Sequence, residues 1–331
     1  MESHNLSSPL PRCLPASSSP RVAAVLAPML GAEFVLGLLG NGLALFVFCA
    51  RTRPWTATVV LLASLVAADF LLVASLPLRV DYYLHGEAWR FGTAACRANL
   101  FLVAANRSAS AAFLAAIALL RYLKVVWPHR ALSRASGRAA ARVAGGIWAA
   151  ILLLHGHLLL ATPPAGSCIS YQLADSPGAW LRWHQALYFL EFFVTLALIL
   201  FAIASIWRTL GRRRRGLGGR AGPRRALRVL AAVVAVYTAC FLPSVLFGAA
   251  SHVAFRLRAC RALDVCSQLF HGSLAFTYLN SVLDPALYCF SSPSFFRQCR
   301  ALLGLGRGSQ GPGSDESSSQ PPARAQEASR R

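Results

Sequence analysis

Seven long apolar stretches restrict what this chain can fold into. They lie at roughly 22–50, 57–84, 92–124, 140–162, 183–211, 223–253 and 262–290. Each is long enough to cross the hydrocarbon core of a bilayer as a helix, which takes about 20 residues. The 331 residues are 56% hydrophobic and 14% charged, which is unlike a soluble domain. Because a span in lipid must pair its backbone groups internally, we expect an all-α, seven-transmembrane helix bundle over residues 22–290.

The basic residues indicate which loops face the cytosol. The formal net charge is +21, and the basic residues collect in the loops after spans one, three and five. The densest group is Arg212, Arg213, Arg214 and Arg215. The positive-inside rule therefore places the N-terminus outside the cell and the C-terminus in the cytosol. We interpret the charge as a topology signal and a contact with anionic lipid, and not as a nucleic-acid site, because the spans leave no free groove.

The two ends of the chain lie outside the predicted bundle. Residues 1–21 are rich in Ser and Pro, and Asn5 begins a glycosylation sequon on the extracellular side. Residues 291–304 read as a short amphipathic helix at the inner surface, in which Cys299 is a candidate for palmitoylation. Residues 305–331 are rich in Ser, Gly and Pro and are predicted to be a disordered cytoplasmic tail.

The third span carries two arginines, Arg107 and Arg121. They are fourteen residues apart, so in a helix they lie about 21 Å apart along the axis and nearly on one face. Charges at membrane depth are costly and usually face a protein interior or a water-filled cavity. We therefore expect Arg107 to form an anion site near the outer surface and Arg121 a conformational latch near the inner one. The alternative for Arg107 is an internal ion pair with Glu191 of span five.

Other polar residues in the spans allow two interpretations each. Asp69 is either a hydrogen-bonded buried carboxylate or part of a cation site. Arg79 either extends to the headgroups or pairs with Asp81, or it is a second positive group beside Arg107. Glu191 should pair with a histidine or an arginine. The histidines of span four are more often structural than functional.

The cysteines outside the membrane are expected to form disulfides because that compartment is oxidising. Cys96, at the head of span three, and Cys168, in the following outer loop, are one candidate pair. Cys13 is a candidate to pair with either Cys260 or Cys266, which would place the N-terminal segment over the bundle.

Two prolines lie inside later spans. Pro243 in span six and Pro285 in span seven each remove a helix hydrogen bond, which permits a kink and movement of the helix end.

Together these residues resemble the rhodopsin-like G-protein-coupled receptors over about residues 25–300. The matching residues are Asn41, Asp69, Cys96 with Cys168, Arg121 with Tyr122, Trp148, Pro243, and the run from Asp284 to Tyr288. The segments LPLRVDYYL, NRSAS and QLFHGSLAFTYLNSVLDP are similar to the hydroxycarboxylic acid and oxoeicosanoid subgroup. The resemblance implies a plasma-membrane receptor with a short eighth helix. It also implies a 5-oxo-eicosatetraenoic acid type agonist, a heterotrimeric G protein of the inhibitory Gi/o type, and arrestin.

The positions of individual residues in the spans, together with the resemblance, give them expected roles. Those expected to contact the ligand are Arg107, Arg79, Tyr278, Glu191 and His157. Those matching an allosteric sodium site are Asp69, Ser110, Asn280, Ser281 and Asp284. Those expected in activation and G-protein coupling are Arg121, Tyr122, Phe241, Pro243, Pro285 and Tyr288. No other cofactor is implied.

The chain departs from the wider family at several positions. Leu120 stands where an acid usually precedes the Arg–Tyr pair, so the resting latch at Arg121 should be weaker. Thr195 replaces the usual proline of span five, Phe241 the usual tryptophan of span six, and Tyr237 a phenylalanine.

Other function classes fit the sequence less well. A transporter of organic anions would also hold charges in the membrane, but it would often show internal repeats, and the sequence has none that we find. An intramembrane enzyme would need a nucleophile or a metal cluster. His155 and His157 are about 200° apart around a helix and cannot face one metal ion. Among receptors, a smaller hydroxycarboxylic acid is the alternative ligand, because it also carries a carboxylate.

Overall fold

The described part of the chain is built from α-helices. The computed structural model describes residues 19–129, 135–160, 162–163, 166, 168–169, 173, 178–214, 221–302 and 304. The helices are α1 (Pro20–Phe46, continued by a π-helical turn at Val47–Arg51), α2 (Ala57–Leu84), α3 (Gly92–Val126), α4 (Gly137–His155, continued by a 3₁₀ turn at Gly156–Leu159), α5 (Ala179–Arg214), α6 (Ala221–Arg256), α7 (Cys260–Ser291) and α8 (Pro293–Leu302). This confirms the predicted all-α bundle with a short eighth helix. Asn5, Cys13 and the tail after 304 lie outside the described residues.

Three helices begin at residues that cap a helix N-terminus well. The side-chain oxygens of Ser19, Thr56 and Ser136 accept backbone N–H groups in the first turns of α1, α2 and α4. Pro20 follows the first cap, where the missing N–H of a proline costs nothing. In these three helices the start therefore coincides with a capping residue in the sequence.

Six of the seven long helices, α1 to α6, are long and apolar enough to cross a membrane by length and composition. α7 is more polar, and its polar residues include Asn280, Ser281 and Asp284, which are fully buried. These polar residues of the seventh span are thus shielded from lipid by the neighbouring helices, as polar groups at membrane depth require.

Small residues bring α1 close to its neighbours. A Cβ on Gly37 would lie 2.8 Å from a methyl carbon of Val73 on α2, and one on Gly40 would lie 3.1 Å from the ring of Pro285 on α7. The side chain of Asn41 donates to the backbone oxygen of Ser281 on α7 at 2.8 Å. Asn41 therefore joins two helices, as buried amides between packed helices often do.

α3 lies at the centre of the bundle. It packs against α2, α4, α5 and α6. At its outer end a disulfide joins Cys96 to Cys168, as predicted, and ties the head of α3 to the loop that follows α4. At the inner side, α8 packs against α7 and the turn after α1, where the ring of Phe295 lies 6.2 Å from that of Tyr288 and 4.9 Å from that of Phe48.

At the outer rim, the structure contradicts two of the pairings that the sequence left open. Cys260 is disulfide-bonded, whereas Cys266 has a free thiol, so the pairing through Cys266 is wrong. Asp81 binds Arg90, and not Arg79, through both of its carboxylate oxygens. The predicted pairing of Arg79 with Asp81 is therefore wrong, because a loop arginine nearer the surface occupies that carboxylate.

Candidate functional site

Arg107 faces α5 from the outer half of α3. Its Nε lies 3.2 Å from Oε2 of Glu191, and the two side chains are 12% and 14% exposed. Its guanidinium carbon lies 4.5 Å from the ring centroid of Tyr188. The internal pair that the sequence left open as an alternative is therefore present. Nη2 of Arg107 is nevertheless buried without a hydrogen-bond partner among the described residues, so one edge of the guanidinium can still donate hydrogen bonds to an anion.

Glu191 has two further polar partners, one on α3 and one on α4. The hydroxyl of Ser108 on α3 donates to its second oxygen, Oε1. Nε2 of His155, on α4, lies 2.6 Å from the Ser108 hydroxyl and 3.6 Å from Oε1. The sequence predicted a histidine or an arginine as the partner of Glu191, and the structure places one of each beside it. We refer to Arg107, Ser108, His155 and Glu191 as the outer cluster.

The outer cluster is connected to α6 near its proline. Tyr188, which packs under Arg107, donates its hydroxyl to Ser244, the residue after Pro243, at 2.8 Å. One turn further in, the ring of Tyr237 on α6 stacks on Phe192 of α5 at 5.6 Å. A ligand that moves the outer cluster can thus act directly on the part of α6 that lacks a backbone hydrogen bond.

Two of the departures from the family pattern, Thr195 and Tyr237, contact each other. The hydroxyl of Tyr237 is hydrogen-bonded to Thr195 on α5. Phe241 lies one turn further towards the outer surface, with its ring 4.9 Å from that of Tyr237. Thr195 and Tyr237 thus join α5 to α6, a link that neither residue alone indicates in the sequence.

Arg79 lies near the outer end of α2. It donates to the backbone oxygen of Cys168 at 2.8 Å, and its guanidinium lies over the rings of Tyr82 and Trp89 at 5.7 and 6.0 Å. Tyr278 is buried in the same group of α1, α2 and α7 side chains as Tyr82. The residues expected at the ligand therefore form separate groups, with Arg107 and Glu191 towards α5 and Arg79 and Tyr278 towards α2 and α7.

His157 lies in the 3₁₀ turn at the outer end of α4. Its Nδ1 is 3.0 Å from the backbone oxygen of Leu154, and its ring centroid is 6.1 Å from that of His184 on α5. The ring of His184 is also 6.2 Å from that of His155. His157 is thus joined to the outer cluster through a histidine that the sequence did not indicate.

A second cluster of polar residues lies deeper in the bundle. All five residues expected at the sodium site have fully buried side chains; they are Asp69, Ser110, Asn280, Ser281 and Asp284. The carboxyl groups of Asp69 and Asp284 lie close enough to interact electrostatically, and Asn280 donates to Asp284 at 3.4 Å and to Ser110 at 3.5 Å. We refer to these five residues, with Asn106 and Tyr288, as the central cluster.

Asn106 is a member of the central cluster that sequence reasoning missed. Its side chain donates to Asp69 at 2.9 Å and accepts from Ser281 at 3.3 Å. In the sequence Asn106 begins an Asn-Arg-Ser sequon at membrane depth, which gives no indication of a contact with Asp69. Its spacing is the signal that could have found it, because Asn106 lies one turn before Ser110 on the same helix face.

Tyr288, Arg121 and Tyr122 are the residues of the inner half that were expected to act in activation. The hydroxyl of Tyr288 donates to Asp69 at 2.9 Å, so this residue belongs to the central cluster. The next residue after Arg121, Tyr122, packs its ring 5.4 Å from Phe201 of α5 and accepts a hydrogen bond from Trp127 at 3.1 Å. Arg121 itself is half-buried near the inner end of α3.

Comparison with known proteins identifies the class. Residues 40–288 match the model of the family described as 7 transmembrane receptor (rhodopsin family). The chain belongs to this family of membrane-embedded receptors, whose partners are G proteins. The match extends from the glycine-rich part of α1 to Tyr288, so it includes both polar clusters.

Individual relatives are also receptors. Over 321 residues the chain is 69% identical to human oxoeicosanoid receptor 1, covering 96% of this chain and 83% of that protein. It is 40% identical to human hydroxycarboxylic acid receptor 3 over 284 residues, covering 83% and 71%. It is 35% identical to the mouse 12-(S)-hydroxy-5,8,10,14-eicosatetraenoic acid receptor over 296 residues, covering 88% and 93%. The predicted subgroup is confirmed, and so is the assignment as a receptor and not an enzyme.

Proposed function

We propose that the chain is a plasma-membrane receptor for an oxidised polyunsaturated fatty acid of the 5-oxo-eicosatetraenoic acid type and that it signals through a Gi/o-type G protein. The observation that carries the ligand chemistry is the buried guanidinium of Arg107, whose Nη2 has no hydrogen-bond partner among the described residues. Such a group binds a carboxylate through charge-assisted hydrogen bonds. The similarity to human oxoeicosanoid receptor 1 supports an agonist with a long hydrocarbon tail.

The carboxylate of the agonist binds Arg107 on the side that Glu191 leaves open. Glu191 holds Nε, so the ligand takes the Nη edge and does not need to displace Glu191. Tyr188 covers the guanidinium from α5 and excludes water. The hydrocarbon chain lies along apolar walls, where each buried methylene contributes about 0.8 kcal/mol.

Arg79 and Tyr278 act from the α2–α7 side of the pocket. Arg79 is buried with its guanidinium held by the carbonyl of Cys168, so it adds positive potential and is not the primary anchor. Tyr278 can donate a hydrogen bond to an oxygen of the lipid. His157, at the outer end of α4, lies where the agonist enters.

The central cluster fits a sodium ion. Oδ1 of Asn280 and Oδ1 of Asp284 are buried without hydrogen-bond partners among the described residues. Two carboxyl groups in contact repel each other unless they share a proton or a cation. Oxygen ligands suit a hard cation. Asp69, Ser110 and Ser281 supply the remaining oxygens, and a bound sodium ion would favour the resting state.

Activation requires the inner end of α6 to move. Opening about Pro243 exposes Arg121 and Tyr122 to the C-terminal helix of the G protein, and Pro285 allows Tyr288 to leave Asp69. The agonist can drive this change only through its higher affinity for the open state. Arrestin is the second expected cytoplasmic partner.

The remaining assignments concern the ends of the chain. We propose that residues 1–21 are extracellular with a glycan on Asn5, that Cys13 is the partner of Cys260, and that residues 22–290 form the receptor domain. Residues 291–304 lie at the inner surface and 305–331 form the cytoplasmic tail.

Acylation at Cys299 requires a change at α8. The Cys299 side chain is 7% exposed, and burial raises the pKa of its thiol to about 11. Because the thiolate is the reactive form, palmitoylation of Cys299 would require α8 to turn its thiol towards the lipid first.

The test is nucleotide exchange on purified Gi by receptor in detergent. We expect 5-oxo-eicosatetraenoic acid to stimulate exchange, its methyl ester to be weak, and a short hydroxycarboxylic acid to be inactive. A more potent short acid would favour the alternative suggested by the relatives that are 40% identical. Equal potency of acid and ester would reject the Arg107 anchor.

A second variant tests the cytoplasmic side. Arg121→Ala should retain agonist binding and lose stimulated exchange, because the change removes the arginine that the open state presents to the G protein. Normal exchange at equal receptor concentration would exclude Arg121 from coupling.

A further inference from the structure

The outer cluster is electrically balanced before an agonist arrives. Arg107 supplies one positive charge and Glu191 one negative charge, and both side chains are largely buried. A fatty acid carboxylate on the other edge of Arg107 would add a second negative charge. Two carboxylates would then share one guanidinium in a site that is poorly hydrated. Such an excess charge is expensive, and a carboxylate beside another of the same charge readily takes up a proton.

The groups around Glu191 offer no second fixed positive charge in the part of the chain that the structure describes. The charged and titratable groups that interact with it are Arg107 from α3, His155 from α4, His184 from α5 and Tyr237 from α6. Arg107 is the one group among them with a permanent positive charge. A proton is therefore the cation that can restore neutrality when a second carboxylate binds.

The structure also supplies a chain of groups that can carry this proton. In the tautomer with a proton on Nε2, His155 donates to Ser108, and Ser108 donates to Glu191. Nδ1 of His155 is buried without a hydrogen-bond partner among the described residues, so it is a vacant proton acceptor.

The chain continues outwards through His184. Its ring lies 6.2 Å from that of His155 and 6.1 Å from that of His157, in the turn at the outer end of α4. Nδ1 of His184 is likewise buried without a hydrogen-bond partner among the described residues. Four titratable side chains thus lead from the extracellular end of α4 to Arg107.

We propose that the agonist binds together with one proton, which enters along His157, His184 and His155 and is held by Glu191. This inference rests on the proposed function, because it requires an agonist carboxylate at Arg107. In the balanced step, the agonist anion and one proton from extracellular water enter a neutral pair and leave the cluster neutral. Glu191 becomes the uncharged acid, whose O–H donates to Ser108, while Arg107 and the agonist form the new ion pair. Glu191 is thereby the residue that makes agonist affinity depend on pH.

The experiment measures equilibrium binding of labelled 5-oxo-eicosatetraenoic acid to detergent-purified receptor between about pH 6 and pH 8, the range over which histidine relays operate. A complex that holds one more proton than its components gains affinity as pH falls, by at most about tenfold per pH unit. Glu191→Gln carries no titrating proton, so its affinity should not change with pH. Glu33→Gln is the matched control, because it neutralises a buried acid of α1 outside the outer cluster, and it should keep the pH dependence.

A measurement on the unsubstituted receptor does not depend on the folding of any variant. Calorimetric titration with agonist at one pH, in two buffers of different ionisation enthalpy, gives the number of protons exchanged. We expect net uptake approaching one proton per agonist. Zero uptake or release, or a pH dependence that Glu191→Gln retains, would overturn the inference and leave the proposed function intact. Failure of the agonist to bind at any pH would overturn the proposed function and this inference with it.

Discussion

The outer cluster and the central cluster of this bundle are both buried and polar, but they differ in charge. The outer cluster joins one guanidinium to one carboxylate, with Arg107 and Glu191 in direct contact. The central cluster brings the carboxyl groups of Asp69 and Asp284 together without a basic side chain among its members. The first is balanced and can accept an anion only with compensation, whereas the second is short of positive charge and favours a cation. One helix, α3, supplies residues to both, with Asn106 in the central cluster and Arg107 beside it in the outer one.

The difference shows how neighbouring residues of one helix can serve opposite ligands. Asn106 and Arg107 are separated by one step of about 100° around the helix axis. Their side chains therefore enter different interhelical spaces, one between α2 and α7 and the other towards α5. An agonist that acts on Tyr188 and a cation that acts on Asp69 can then influence the same helix without contacting each other.

The largest effect should come from removing the charge that anchors the agonist. Arg107→Ala should weaken agonist binding by about 2–5 kcal/mol, or more than tenfold, because it leaves the ligand carboxylate and Glu191 without a partner. Radioligand competition measures this directly. Arg107→Lys should restore part of the affinity, since an ammonium cannot present two parallel donors. Affinity that remains within threefold of the parent in Arg107→Ala would place the anchor elsewhere.

The next effect concerns the stability of the central cluster. Asn106→Ala removes the donor to Asp69 and should lower the free energy of unfolding by about 1–3 kcal/mol, because a buried carboxyl group loses its partner. Thermal unfolding of purified receptor in detergent provides the measurement. Asn99→Ala is the matched control, since Asn99 is equally buried on α3 but donates to the neutral hydroxyl of Ser75. An equal or larger loss in Asn99→Ala would mean that Asn106 has no special role at Asp69.

The sequence predicted the helices and their depth in the membrane better than it predicted which side chains contact each other. Apolar length and charge asymmetry predicted the spans to within a few residues for α2 and α3, because both depend on the bilayer and not on neighbouring helices. Span four ended early, at His155, where the chain turns into a 3₁₀ helix. A run of apolar residues does not report such a change of helix type.

Partners depend on how helices rotate against each other, which a single sequence does not specify. Arg107 and Glu191 could be suggested as a pair because they were the available opposite charges. His184 and Asn106 carry no comparable signal. The disulfide of Cys260 could not be assigned from spacing, and Cys266 was an equally good candidate in the sequence.

A cation should bind the central cluster and not the outer one. Replacing sodium chloride by a salt of a bulky organic cation should raise agonist affinity by about 1 kcal/mol, roughly fivefold, which is the lower end of usual coupling energies. Asp69→Asn should abolish this sensitivity because it removes one of the two negative charges. Glu191→Gln is the control, and its sodium sensitivity should persist. Sodium sensitivity that disappears in Glu191→Gln and survives in Asp69→Asn would reverse the comparison between the two clusters.

The smallest effect should come from substituting Arg79. This change tests whether a positive charge on α2 acts on the agonist without contacting it. Arg79→Gln can still donate to the carbonyl of Cys168, so it removes the charge with little loss of packing. A charge that acts over a distance through the protein contributes on the order of 1 kcal/mol or less, so potency should fall by roughly two- to fourfold.

Arg90→Gln is the control because that guanidinium is 54% exposed and already bound to Asp81, whose hydrogen bond raises the pKa of Arg90. Arg90→Gln should leave potency unchanged, and the exchange assay on purified Gi measures both variants. If Arg79→Gln lost as much potency as Arg107→Ala, the agonist carboxylate would lie between α2 and α7. The outer cluster would then be a structural ion pair.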